Sequence, residues 1–368
     1  MMRASSQAGA MLTLLFLFTV GILGPARCAD EEGFESEEVD KEDLENWAKD
    51  GTGSNYVQKL VTDLENNAEM GSKRLVYFLK SGDDRLVKMM VSEEARGKQL
   101  QFLEAKDTIP LVLKMLGPHS PVHVKSKAAE AIKLLSLQNP RVGQMLGLHS
   151  WIPGMFGIRE LILMITEASQ QGADKTTMVA GEHALEALWA LVQTSVDNLE
   201  LAKSEGAIAA CVDTIKSRAS PRGKMWAAAC LKSLFKDFYA TPDGSYASAA
   251  RRTIDNTRVR TFAVKDTQLV ESLIGMAELG RVTETTPRSK WPSHATADER
   301  GAPSIMAWAA AGALGALGSG EDGSRELLQQ RGVGALLCTL GESPDALEAI
   351  EAKAALQLLD EECSKKEL

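Results

Sequence analysis

A chain of 368 residues with 44% apolar but only 5% aromatic side chains and a net charge of −9 suffices for two ordinary domains or one extended array. Its acidic balance argues against sequence-independent binding to nucleic-acid phosphates, which needs a clustered basic surface. Ala and Leu dominate the apolar set, which suits packed helices better than the β-branched and aromatic faces of sheets, so an all-α protein is expected.

At the start, Arg3 precedes the apolar run Met11–Leu23 and the small residues of "GPARCA". That order is expected of a secretory signal peptide over residues 1–28, cut after Ala26 or Cys28. The run falls short of the about 20 residues of a membrane span, so no stable insertion is expected once the leader is cleaved; an uncleaved anchor is the alternative. Residues 29–45 follow, and "DEEGFESEEVDKEDLE" from Asp30 to Glu45 holds ten acidic residues and one basic one. Self-repulsion and low hydrophobicity predict disorder there; an acidic tail touching a basic partner is the other reading.

Residues 46–93 read as an N-terminal helical cap. "LENWAKDGTGSNYVQKLVTDLENN" predicts a short helix, a turn and an amphipathic helix, and "GSKRLVYFLKSGDDRLVKMMVSEEA" a partial capping unit. Beyond Glu94 a pattern recurs: Ala, two variable residues, Ala or Cys, Ile or Leu, two more, then Leu. It occupies Ala128/Ala131/Ile132/Leu135, Ala184/Ala187/Leu188/Leu191, Ala227/Cys230/Leu231/Leu234, Ala310/Ala313/Leu314/Leu317 and Ala352/Ala355/Leu356/Leu359. Positions i, i+3, i+4 and i+7 share one helix face, where small residues admit a neighbouring helix and the larger ones fill the space beside it.

Successive copies start 56, 43, 83 and 42 residues apart. The two longer intervals predict loops inserted near 168–177, 239–248 and 281–303, where Gly, Pro, Ser and Thr gather. Between copies, the stretches from Asn139, Asp197, Asp255 and Glu321 each show a capping start, a short helix, a break and a second apolar helix. "EARGKQLQFLEAKDTIPLVLKML", Glu94–Leu116, is the same element ahead of the first copy.

Three helices per unit at this period resemble the armadillo repeat. The most specific match is "DTIPLVLKML", similar to the family's G-x-I-P-x-L-V-x-L-L opening, with Ile152-Pro153 repeating the Ile109-Pro110 step. The resemblance implies an armadillo-like right-handed α-solenoid over 94–362, whose third helices line a concave groove. A single unit cannot bury its apolar face, and stacking copies builds a continuous core with a long binding surface beside it. Importin-like members carry Trp at i+2 and Asn at i+6 of the pattern. Here i+2 is Glu130, Glu186, Ala229, Gly312 and Ala354, and i+6 is Leu134, Ala190, Ser233, Ala316 and Leu358. The missing ladder argues against that mode of binding basic peptides.

Position i+5, expected to face solvent, holds Lys133, Trp189, Lys232, Gly315 and Gln357. Candidate partner-binding residues are therefore Lys133, Glu186, Trp189, Arg222, Trp226, Lys232 and Lys236. Trp189 and Trp226 read either as interface anchors or as core filler between units. His119, His123, His149, His183 and His294 are scattered without metal spacing, and no nucleophile or phosphate-loop motif stands out, so a non-enzymatic protein with no cofactor and no metal is expected.

If Cys28 leaves with the leader, Cys211, Cys230, Cys338 and Cys363 remain, with no CxxC pair. Cys211 and Cys230 are read either as a bridge or as fillers of buried alanine-sized positions. Residues 363–368 close the chain, and Lys365, Lys366, Glu367 and Leu368 differ by one residue from the Lys-Asp-Glu-Leu retrieval signal. With the leader this predicts the endoplasmic reticulum lumen, with secretion as the alternative. Signal peptide, acidic lead-in, repeat array and retrieval-like tail together resemble the nucleotide-exchange factors of the lumenal BiP-type Hsp70 chaperone. The resemblance implies a co-chaperone whose partner is that chaperone; the alternative is a scaffold for lumenal or secreted clients with no effect on an ATPase.

Overall fold

The computed structural model describes residues 55–80, 108–148, 157–235, 260–279, 303–319, 322–343, 345–360 and Cys363. The chain divides at Thr52, and the description concerns the unit from Gly53 onward. Residues 1–45, with the expected signal peptide and acidic segment, lie outside the described residues, as do 239–248, 281–302, Lys236 and the tail from Lys365 to Leu368. The described elements are all helices, and none of them is long and apolar enough to cross a membrane.

All five copies of the small-residue pattern fall on the longest helix of their unit. These are α4 (Val122–Gln138), α7 (Lys175–Thr194), α10 (Pro221–Leu234), α12 (Pro303–Gly318) and α15 (Ala346–Leu359). Each packs on the next, and α2 (Ala68–Lys80), preceded by α1 (Asn55–Asn66), packs on α4 in the same way, so a third-helix position already exists within the predicted cap. A second row holds α3 (Thr108–Leu116), α6 (Gly157–Ser169), α9 (Ala207–Lys216), α11 (Thr267–Glu278) and α14 (Val333–Leu340), each against the third helix that follows it. First helices are α5 (Pro140–Leu148), α8 (Val196–Ser204), the helical residues 260–265 and α13 (Asp322–Gln330).

All twenty pattern positions are buried, none more than 5% exposed. Burial of each Leu or Ile contributes about 1.5–3 kcal/mol, which is why isolated units of this kind do not stand alone. Local signals place the helix starts. Asp174, Ser220 and Asp266 accept hydrogen bonds from the backbone N–H of Thr177, Gly223 and Leu269, and Ser195 accepts from Asp197 and Asn198. The breaks between first and second helices turn on Gly206 and Gly332, both left-handed with φ of 91° and 75°.

The 168–177 insertion is not a loop of that length. Residues 168–169 end α6, 175–177 begin α7, and only 170–174 are non-helical. The long first interval arises partly because α6 and α7, at 13 and 20 residues, exceed their counterparts α9 and α10, at 10 and 14. Polar residues do not mark a loop here because Asp174 caps α7 and recruits those that follow it into the helix. Pro303, the end of another predicted insertion, likewise opens α12.

Glycines on α12 set the spacing of the last two third helices. A Cβ at Gly315 would lie 2.6 Å from Ala355 Cβ and 2.7 Å from its Cα, so backbone itself blocks a side chain. Gly315→Val is therefore expected to lower stability by about 1–3 kcal/mol in urea unfolding, through overpacking. A neutral or stabilising result would mean that α12 and α15 do not meet this closely.

Candidate functional site on the row of third helices

Position i+5 does not face open solvent in the first four units. In four units it meets another third helix. Lys133 on α4 reaches Glu186 on α7, Trp189 on α7 lies against Trp226 of α10, and Gly315 on α12 abuts Ala355 on α15. Lys232 on α10 lies against Gly312 of α12 and continues to Glu351 on α15. Gln357, on the last third helix, is exposed. A residue one and a half turns beyond the pattern's first Ala points along the row because each third helix is flanked by others on both sides.

The centre of the row is built around Glu186, whose side chain is 2% exposed. Lys133 Nζ donates to its Oε2, and Arg222 donates to its Oε1 through Nε at 2.9 Å and a terminal nitrogen at 2.5 Å. Burial alone would raise this carboxyl's pKa, but the Lys133 and Arg222 charges outweigh burial and hold it below the usual value. Trp189 and Trp226 lie beside the triad with ring centroids 5.2 Å apart and planes tilted 50°, and Lys133 Nζ is 5.9 Å from the Trp226 ring. Both tryptophans are buried, and Trp226 Nε1 has no hydrogen-bond partner among the described residues. They fill the gap between α7 and α10 and support the cations above.

Toward the start of the array, Lys80 on α2 and Lys127 on α4 approach Glu130 at 2.6 and 3.0 Å. Next to them His183 Nδ1 is 2.8 Å from Ser126 Oγ, and burial pushes the imidazole pKa down. Toward the end, Lys232 Nζ is 2.5 Å from Glu351 and 4.8 Å from the centroid of Trp308. This bond spans two rungs and depends on Gly312, where a Cβ would meet Lys232 Cδ at 2.6 Å. The candidate set that the sequence suggests lacks Trp308, Glu130 and Glu351. Their signal, an opposite charge or a ring on a neighbouring third helix, exists only once the helices are in register.

Glu130 gives a test. Burial raises its pKa, but Lys127, His183 and Lys80 overcome this and hold it at about 2, against an ordinary value of 4.5. A carboxyl depressed by folding stabilises above its unfolded pKa and loses that contribution as pH falls toward its folded pKa. Wild type is expected to lose about 2 kcal/mol more than Glu130→Gln between pH 6 and pH 3 in urea unfolding. Equal losses in the two proteins would show that Glu130 is not held by these charges.

Cys211 and Cys230 are free and buried, the filler reading of the pair. The bridge joins Cys338 on α14 to Cys363, with Cα atoms 5.6 Å apart. The Cys338–Cys363 pairing is not legible in the spacing of the cysteines, because it depends on how α14 and α15 pack. Among the described residues no group of three His, Cys, Asp or Glu could hold a metal ion.

No family model matches the chain, and no curated protein does. Among solved structures it is similar to an engineered protein, at 18% identity and a TM-score of 0.53, over 83% of this chain and 96% of that one. A designed armadillo repeat protein matches at 14% identity and a TM-score of 0.51, over 82% and 98%. Another designed armadillo repeat protein, in complex with the peptide (KR)4, matches at 14% and 0.50 over the same shares. The fold is an armadillo-like α-solenoid. In this array the i+2 and i+6 positions of the middle units are Glu186, Ala229, Ala190 and Ser233, all buried, and Glu186 is covered by the cations Lys133 and Arg222. At these identities the likeness concerns the path of the chain, and no residue role carries across.

Proposed function

We propose that this chain binds another protein along its row of third helices and performs no chemistry of its own. The observation that carries this is the central cluster, in which Lys133 and Arg222 flank the buried Glu186 and rest beside the Trp189–Trp226 pair. Charged heads held by a rigid packed layer lose little freedom when a partner engages them, which favours affinity. The designed armadillo protein that carries a bound (KR)4 peptide supports the same use of this architecture.

The finer reading is a lumenal co-chaperone that clamps the nucleotide-binding part of an Hsp70-type ATPase and promotes release of ADP. The Cys338–Cys363 bridge supports an oxidising compartment, since stable structural disulfides are rare in the cytosol. The experiment is recovery of partners from isolated lumen, followed by release of a fluorescent ADP analogue from the recovered chaperone. At saturating protein, release at least about tenfold faster is expected, equivalent to about 1.4 kcal/mol. Unchanged release would remove the exchange-factor reading and leave a scaffold. Deleting Lys365–Leu368 is expected to move the protein from cells to the medium; equal retention would remove the retrieval role.

A further inference from the structure

The charges of the array are sorted by row and by depth. The third helices α4, α7, α10 and α12 together carry seven Lys or Arg against three Glu. The described first and second helices that accompany them, α3, α5, α6, α8, α9, α11 and 260–265, carry seven of each sign. The chain as a whole is acidic at −9, so the excess of cations on one row runs against its composition.

Depth strengthens the asymmetry. The three glutamates are sunk, with the side chains of Glu130, Glu182 and Glu186 10%, 13% and 2% exposed. Their cationic partners are the outer members: Lys127 is 38%, Lys133 23% and Arg222 50% exposed. Water and partners therefore meet the positive end of each pair first. Trp308, half-buried beside Lys232, extends the strip with an aromatic face.

We propose that the row of third helices recognises an acidic peptide segment of a partner protein, opposite in sign to the (KR)4 peptide held by the designed armadillo protein. This rests on the protein-binding reading above and names the chemistry of the partner. Helices pack about 8–10 Å apart and an extended chain advances about 3.3 Å per residue, so an acidic residue about every third position meets a successive third helix. The buried glutamates hold the cations in place, and the exposed cation heads steer and register the acidic chain.

The test uses the full chain and two labelled octapeptides, (Asp-Glu)4 and (Lys-Arg)4, titrated by fluorescence anisotropy at low and high salt. Saturable binding of the acidic peptide, at least tenfold tighter than the basic one and weakened by salt, is expected. Arg222→Gln on the row should weaken it several-fold, whereas Arg159→Gln on α6, which removes the same charge from a side chain 54% exposed, should not. The wild-type comparison decides the matter even if Arg222→Gln folds poorly. Equal or tighter binding of the basic peptide, no saturable binding of either, or equal effects of the two substitutions would overturn the proposal. A lumenal partner that is retained but not displaced by (Asp-Glu)4 would overturn this inference alone; retention of no partner would overturn the protein-binding reading beneath it.

Discussion

Replacing Lys133 and Arg222 together by Met is expected to lower stability by about 3–5 kcal/mol, the cost of a buried charge whose partners are removed. Glu186 is 1% exposed, and both cations reach it from neighbouring third helices, α4 on one side and α10 on the other. Either single substitution leaves one cation in place and should cost less than half as much. The pH dependence gives a second signature. In wild type the Glu186 pKa is held down, so its contribution is lost as pH falls. In the double variant burial is countered only by the neighbouring His183 and raises the folded pKa, so acidification protonates Glu186 and relieves the penalty. The stability gap between the two proteins should therefore narrow as pH falls from neutrality, first as the variant's raised carboxyl protonates and then, below the ordinary carboxylate range, as wild type loses its own contribution, as chemical denaturation across pH would show. A gap of under 1 kcal/mol at neutral pH, or one that widens in acid, would mean that Glu186 is not sealed between α4, α7 and α10.

Removal of the Cys338–Cys363 bridge is the other large effect. It links residues 25 positions apart around all of α15, and its loss should cost about 3.5 kcal/mol by the loop-entropy estimate. Reductant should lower the unfolding midpoint of wild type to that of Cys363→Ser and leave the variant unmoved. Thiol labelling of unfolded, unreduced protein should modify Cys211 and Cys230 but neither Cys338 nor Cys363. A midpoint that still falls with reductant in Cys363→Ser would point to a bridge elsewhere. The link bears on α15 because, among the described residues, no further third helix covers its outer face, where Ile350 and Leu358 are 43% and 46% exposed.

The five pattern copies mapped onto α4, α7, α10, α12 and α15 without exception, because spacing at i, i+3, i+4 and i+7 is a property of one helix and needs no knowledge of its neighbours. The direction of i+5 did not follow from the pattern. Spacing alone suggests a solvent-facing position, yet Lys133, Trp189, Lys232 and Gly315 all meet other third helices. A helical repeat shows which face is apolar; which side of the remainder is covered depends on the rotation between units. Of the candidate residues, Lys133, Glu186, Trp189, Arg222 and Trp226 converge in one cluster, and Lys232 belongs to the next along the row.

Local periodicity by itself determined that the chain is helical and repetitive and where each unit's core face lies. Only the packed array decided that Glu186 is sealed between two cations, that Lys232 crosses Gly312 to reach Glu351 119 residues away, and that Cys338 pairs with Cys363. Apolar patterning is written into neighbouring residues of one helix, whereas a charge, a ring or a thiol acquires its partner from the distance between helices, which the packing of whole units sets.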